Sequence, residues 1–143
     1  MKLILDTNRL IKLISSIRQS VSLLEELAGI EKEEFVNDPH KISSAKYNFI
    51  AAIEAAIDLT NHIISKNRFR APQDYADSFR ILFEEKLIDK KFSEELCAMA
   101  RFRNRLVHLY WDIDNQQIRT ILRTRLNDFE KFIEIISQSR KEG

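Results

Sequence analysis

The sequence predicts an all-α protein, an up-and-down bundle of four to five helices. Only 2 of its 143 residues are glycine and 2 are proline, whereas β folds use many of both in their tight turns. Apolar residues recur at helical spacing through long segments, and alternating strand patterns are absent. We expect a single domain over residues 1–143, because a chain of this length can enclose one hydrophobic core.

Apolar spacing and capping residues place the helices. Asp38-Pro39 predicts an N-cap followed by a proline at the first helical position. Asp74 and Asp114 are the expected caps of two later helices. Gly29 is the expected stop of the first helix. The predicted helices cover about residues 6–28, 39–66, 74–86, 92–108 and, after Asp114, one continuous stretch to about 136. Residues 31–36 are expected to add a short helical turn.

Composition excludes several classes of protein. No apolar run approaches the roughly 20 residues that cross a bilayer, and the apolar part of 1–6 is too short for a secretory signal. The single cysteine, Cys97, rules out an internal disulfide framework and is compatible with a reducing cytoplasm. We therefore expect a cytoplasmic protein without a membrane partner. Neither a cofactor nor a metal ion is expected, since no histidine or cysteine has ligand spacing.

The net charge of +1 gives no indication of a nucleic-acid partner, but the distribution of charge does. Basic residues are clustered, and ordinary solvated helix faces remain an alternative explanation of these clusters. The three clusters are Lys66, Arg68 and Arg70; Arg101, Arg103 and Arg105; and Arg119, Arg123 and Arg125.

The segment 101–111 is the most unusual part of the sequence. On a helix, Arg103 projects from the middle of an apolar face, and Tyr110 falls on that face two turns later. An arginine on such a face is costly unless it is paired. Glu54 and Asp58 are the candidate partners on the second long helix. The other members of the predicted face are Leu96, Met99, Ala100, Leu106 and Val107.

The polar residues of this segment suit a phosphate ligand. Arg101, Arg103 and Arg105 would surround His108 with positive charge, and a neutral imidazole can accept a proton as a general base. Asn104, one turn before His108, would position the imidazole or a phosphate. The alternatives are a structural histidine, an asparagine solvated on the helix surface and a tyrosine that only packs. Glu54 and Asp58 alone make a weak metal site.

The segment Arg103-Asn-Arg-Leu-Val-His-Leu-Tyr110 resembles the R-x-x-x-x-H-x-Y motif of HepT-like toxins in the HEPN superfamily. The resemblance extends over roughly residues 40–135. It includes Ile53 to Asp58, Ala71-Pro72 before 74–79, and the residues that flank the histidine.

Membership of that family would imply a HEPN-type bundle that forms a homodimer and acts as a metal-independent ribonuclease toxin on RNA. By resemblance, His108 would deprotonate the ribose 2′-OH and Arg103 would stabilise the phosphate. The partner would be an MntA-like nucleotidyltransferase antitoxin that transfers AMP to Tyr110. Two other interpretations remain: a non-catalytic HEPN module that binds nucleotide, RNA or a partner, and a purely structural dimerisation bundle.

Overall fold

Seven α-helices follow one another in a computed structural model that describes residues 2–140. Within this range the secondary structure is helical, apart from an isolated β-bridge between Leu3 and Arg140. The predicted all-α class is therefore confirmed. The helices are α1 (Thr7–Ala28), α2 (Lys32–Val36), α3 (Pro39–Lys66), α4 (Tyr75–Glu84), α5 (Lys90–His108), α6 (Asn115–Thr124) and α7 (Asn127–Ser139).

The longest helix, α3, is the central element of the bundle and packs against α1, α4, α5 and α6. Asp38 caps it by accepting hydrogen bonds from the backbone N–H groups of His40 and Lys41. Pro39 occupies the first turn, where a helix needs no N–H donor. None of the helices within residues 2–140 has the length and apolar character needed to traverse a membrane.

Several helix boundaries differ from the predicted ones by one to three residues, and two differences in the helix pattern have a local cause. Helix α5 begins at Lys90 because the side chain of Asp89 caps it by accepting from the N–H of Phe92. The predicted last helix is divided into α6 and α7. The hydroxyls of Thr120 and Thr124 each donate a hydrogen bond to the carbonyl oxygen four residues earlier. Such contacts bend helices, and α6 ends at Thr124.

A buried aromatic contact orients α5 on α3. Phe102 meets Phe49 edge-on, with 5.3 Å between the ring centroids and an angle of 80° between the ring planes. Both rings are buried, and this geometry is the one that aromatic pairs favour. Because Phe102 is fixed against α3, the side chain of the next residue, Arg103, points to the space between α3 and α4.

An ion-pair network holds the start of α4. The guanidinium of Arg70 donates to both carboxylate oxygens of Asp77 at 2.8 Å and to those of Glu84 at 2.6 and 2.8 Å. Asp77 also accepts from the backbone N–H of Gln73. The Arg70 hydrogen bonds, followed by the Gln73 bond, hold the pKa of Asp77 well below its usual range. The network thereby ties the segment before α4 to both ends of that helix, whose first residue is Tyr75.

Candidate active site

The guanidinium of Arg103 lies between α3 and α4 and is held by three contacts. Its Nε and Nη2 donate to Oε1 of Glu54 at 3.1 and 2.6 Å. Its Nη1 donates to Oδ1 of Asn104 at 3.2 Å. Its Cζ lies 5.0 Å from the ring centroid of Tyr75, a cation–π contact. The side chain of Arg103 is only 15% exposed, whereas that of Glu54 is 43% exposed, so the guanidinium is largely shielded from water and the carboxylate is not.

Asp58, the second predicted partner, is not part of this ion pair. Among the described residues, Arg103 pairs with Glu54 alone, because Glu54 already accepts from the Nε–Nη2 edge of the guanidinium. Asp58 instead lines the same open cleft, of about 210 Å³, with Ile57 and Tyr75. Partial desolvation of its carboxylate raises the pKa of Asp58; Arg9 opposes this effect and Glu54 adds to it.

The arrangement leaves Arg103 able to bind a second anion. A guanidinium has five N–H donors, and in the described part of the chain three of them have partners. One N–H on each of Nη1 and Nη2 remains. Each of these donors can bind an oxygen of a phosphate. Glu54 and Tyr75 therefore hold the guanidinium in place and leave its outer edge for a ligand.

His108 is the last residue of α5 and is exposed. The helix stops there: the N–H of Leu109 still bonds the carbonyl of Arg105 at 2.8 Å, and the N–H of Asp112 then closes a turn on Leu109 at 2.8 Å. The imidazole is thus presented to solvent at a helix end. It is accessible to a substrate that reaches the surface of α5.

The last turn of α5 departs from the predicted apolar face. Val107 is 41% exposed, whereas Leu106 is fully buried. Tyr110 lies beyond the helix end, so it does not continue the face that carries Arg103. The predicted places of Val107 and Tyr110 on the buried face were therefore both wrong. They came from a helical projection that was extended to the end of α5 and beyond it.

The three arginines of the motif lie on two sides of α5. Arg101 and Arg105 line a small cavity of about 180 Å³ together with Ile121 and Arg125, at the side of α6. Arg103 is at the side of α3 and α4. The three arginines therefore do not line one common cleft. Residues 101 and 105 are four apart and share a face, whereas 103 is rotated by more than half a turn from 101.

Two side chains that contact the motif were not among the predicted site residues. Tyr75, the first residue of α4, is 43% exposed, and its ring lies beneath the guanidinium of Arg103. Lys46 of α3 is only 5% exposed, and its ammonium contacts Tyr110. A signal for Lys46 was present in the sequence, since it lies four residues after Ile42 and three before Phe49 on a buried stripe.

No metal site is evident among residues 2–140. They contain no group of three or more histidine, cysteine, aspartate or glutamate side chains arranged to hold a metal ion. The Nε2 of His62 accepts a hydrogen bond from the backbone N–H of Asp6 at 3.0 Å.

Comparison with known proteins decides the family. Residues 17–136 match the family described as Ribonuclease HepT-like. The chain belongs to the HepT-like ribonuclease family. The resemblance seen in the motif is confirmed, and it covers most of the chain.

Relatives of this HepT-like chain include named nucleases. It is 30% identical over 127 residues to the mRNA nuclease HepT of Shewanella oneidensis, an alignment that covers 89% of this chain and 95% of that protein. It is 27% identical over 84 residues to the tRNA nuclease HepT of Aphanizomenon flos-aquae, covering 59% of this chain and 57% of that protein. The two relatives thus differ in the RNA that their names specify.

A solved structure extends the likeness to the three-dimensional fold. The tri-AMPylated HEPN toxin of Shewanella oneidensis, solved in complex with its MNT antitoxin, superposes with a TM-score of 0.86. It shares 28% sequence identity with this chain, covering 93% of this chain and 99% of that one. The HEPN-type helical bundle predicted from the sequence is confirmed.

Proposed function

We propose that this HepT-like chain is a metal-independent endoribonuclease, the toxin of a prokaryotic type VII toxin–antitoxin system that acts in the cytoplasm. The observation that supports it most directly is Arg103, whose guanidinium is fixed by Glu54, Asn104 and Tyr75 while two N–H groups remain for a phosphate. A guanidinium placed in advance stabilises developing negative charge without the cost of reorganisation.

The exposed imidazole of His108 acts as the general base. It accepts the proton of a ribose 2′-OH, whose oxygen attacks the adjacent phosphorus as the bond to the 5′ oxygen breaks. The products are a 2′,3′-cyclic phosphate and a 5′-OH end, the leaving oxygen having taken up a proton. Arg103 binds the non-bridging oxygens of the phosphate. Asn104 orients Arg103, and Arg101 and Arg105 bind neighbouring phosphates of the RNA backbone.

A homodimer completes the reaction, because one imidazole does not readily supply both the base and the acid. Side chains around the motif are suited to an interface with a second copy. Val107, Leu109, Trp111 and Tyr47 are large apolar residues that are 41%, 48%, 88% and 68% exposed. Exposed apolar side chains concentrated near one site are typical of interaction surfaces. His108 of the second copy would then protonate the leaving oxygen.

Cleavage of RNA in excess EDTA tests the proposed reaction. We expect the purified chain to cut RNA at the same rate with and without EDTA, because its base and its phosphate ligand are both side chains. Mass spectrometry of the products should show 2′,3′-cyclic phosphate and 5′-OH termini. A requirement for added Mg²⁺ or Mn²⁺ would refute the mechanism. Tight RNA binding without cleavage would favour the non-catalytic HEPN module instead.

Tyr110 is the proposed site of inactivation. An MntA-like nucleotidyltransferase transfers AMP from ATP: the phenolic oxygen bonds to the α-phosphorus, pyrophosphate leaves, and the phenolic proton is released to the transferase or to water. The attached group carries negative charge into the path of the RNA and excludes it by size and by repulsion.

Substitution of Tyr110 by phenylalanine is expected to abolish AMP transfer and leave RNA cleavage within about threefold, because only the hydroxyl is removed. Incubation with the transferase and ATP, followed by intact-mass measurement, reads the adduct directly. Co-expression should then fail to relieve growth arrest by this variant. If the variant still gains AMP, or is neutralised as well as the wild type, the modified residue lies elsewhere.

A further inference from the structure

A buried, unpaired lysine lies beside the proposed modification site. The ammonium of Lys46 donates to the backbone carbonyl oxygen of Tyr110. It lies 4.3 Å from the centroid of the Tyr110 ring and 5.9 Å from that of Trp111. The residue is 5% exposed, and within residues 2–140 no carboxylate forms a salt bridge with it. Its burial lowers its pKa.

This arrangement is costly for the fold. Removing an ammonium from water has a large penalty unless a counter-charge compensates it, and one carbonyl oxygen with two aromatic rings gives only partial compensation. A methionine of similar length would fill the same space without that penalty. The charge of Lys46 therefore has a use other than stabilising the bundle.

The contacts of Lys46 indicate what that use is. Tyr110 lies in a turn after α5 rather than in a helix. Its ring packs edge-on against Trp111, with 5.0 Å between the centroids, but Trp111 is itself 88% exposed, so this neighbour gives the tyrosine little support. Lys46 fixes it twice. The hydrogen bond holds the backbone carbonyl, and the ammonium over the ring face restricts rotation of the side chain.

We propose that Lys46 positions Tyr110 for nucleotide transfer and attracts the polyphosphate of the incoming ATP to its hydroxyl. This inference rests on the modification of Tyr110 proposed above and assigns a second residue to it. Lys46 keeps its proton throughout and forms no bond to phosphorus. It is a positioning residue: its uncompensated charge lies one ring away from the nucleophile, where the anionic nucleotide must approach.

The test compares AMP transfer with RNA cleavage in variants of the full-length chain. Lys46→Met removes the charge and the donor at nearly constant length, Lys46→Gln keeps a donor without charge, and Lys46→Arg keeps both. Lys131→Met is the matched control, because the ammonium of Lys131 also lies 4.3 Å from an aromatic centroid, that of Phe92, on the α5–α7 side. AMP incorporation is followed with radiolabelled ATP over a range of ATP concentrations.

We expect Lys46→Met to lower kcat/KM for AMP transfer by about tenfold or more, which is the loss typical of a charge-assisted contact. Any fall in the rate of RNA cleavage should be smaller than this. The KM for ATP should rise in Lys46→Gln, and Lys46→Arg should recover most of the rate. Lys131→Met should match the wild type in both reactions. The Tm of Lys46→Met should equal or exceed that of the wild type, because a buried unpaired charge has been removed.

Three results would overturn the inference. AMP transfer to Lys46→Met at the wild-type rate would exclude a role for the lysine, and an equal fall in transfer, cleavage and Tm would assign it to the fold. If wild-type chain that cleaves RNA takes up no AMP from its MntA-like partner, the modification itself is refuted and the inference with it.

Discussion

Replacing His108 with alanine is expected to reduce RNA cleavage by about 10²- to 10⁴-fold, the usual contribution of a general base. The fold should be unaffected, because the imidazole is exposed at the end of α5 and its removal leaves no cavity. Single-turnover cleavage of a labelled RNA measures the rate. RNA affinity, measured separately by fluorescence anisotropy, should change little, since Arg103 and the basic side chains remain.

His40→Ala is the matched control, because His40 is also an exposed histidine, at the start of α3. It should cleave at the wild-type rate. Expression in cells gives a second measurement: wild type and His40→Ala should arrest growth, whereas His108→Ala should not. Cleavage by His108→Ala within tenfold of the wild-type rate would show that another group accepts the proton.

Replacing Arg103 with lysine is expected to reduce the cleavage rate by about 10²- to 10³-fold, the loss seen when a donor to a developing oxyanion is removed. The charge is retained, but an ammonium cannot contact Glu54 and present two parallel N–H groups to a phosphate at once. The loss should appear in kcat rather than in KM, because the contact strengthens as charge develops in the transition state.

Arg18→Lys provides the comparison, because Arg18 also pairs with a glutamate through Nη2, at 2.9 Å from Oε1 of Glu130. This pair is at the surface between α1 and α7 and should contribute nothing to cleavage. Arg101→Ala should act differently again, weakening RNA binding and its salt dependence with little effect on kcat. Full activity in Arg103→Lys would mean that charge alone is needed there and that the fixed guanidinium is irrelevant.

Much of the fold was predictable because local signals and packing agree. Asp38, Asp74 and Asp114 were assigned as helix caps from residue type alone, and each caps its helix through its side chain. The spacing of apolar residues gave the boundaries of α1 to α4 to within two residues. The break between α6 and α7 was missed, because the apolar period continues through it and the two threonine side chains that bend the chain look unremarkable in the sequence.

The site was only partly predictable, for a different physical reason. The helical period placed Arg103 on an apolar face, where an arginine needs a partner. The same period placed Glu54 at the edge of the buried face of α3, which made it a candidate partner. It could not place Tyr110, which lies past the helix end. Lys46 was overlooked as one of many lysines. Its position on the buried stripe of α3 was readable from the sequence, whereas its contact with Tyr110 is a tertiary contact that no local pattern encodes.

The central helix also sets the distance between the site and the ends of the described chain. Asn67, the cap of α3, exchanges hydrogen bonds of 2.9 and 2.8 Å with the backbone of Ile4, and the adjacent Leu3 bonds the carbonyl of Ser139 at 2.6 Å. Lys46 lies 21 positions before Asn67, about 30 Å along the helix axis at 1.5 Å per residue. Labels or fused domains attached near residues 3 or 139 therefore lie at the far end of the molecule from Tyr110. Such fusions can test the proposed binding of RNA and of an antitoxin from outside the surface proposed for both.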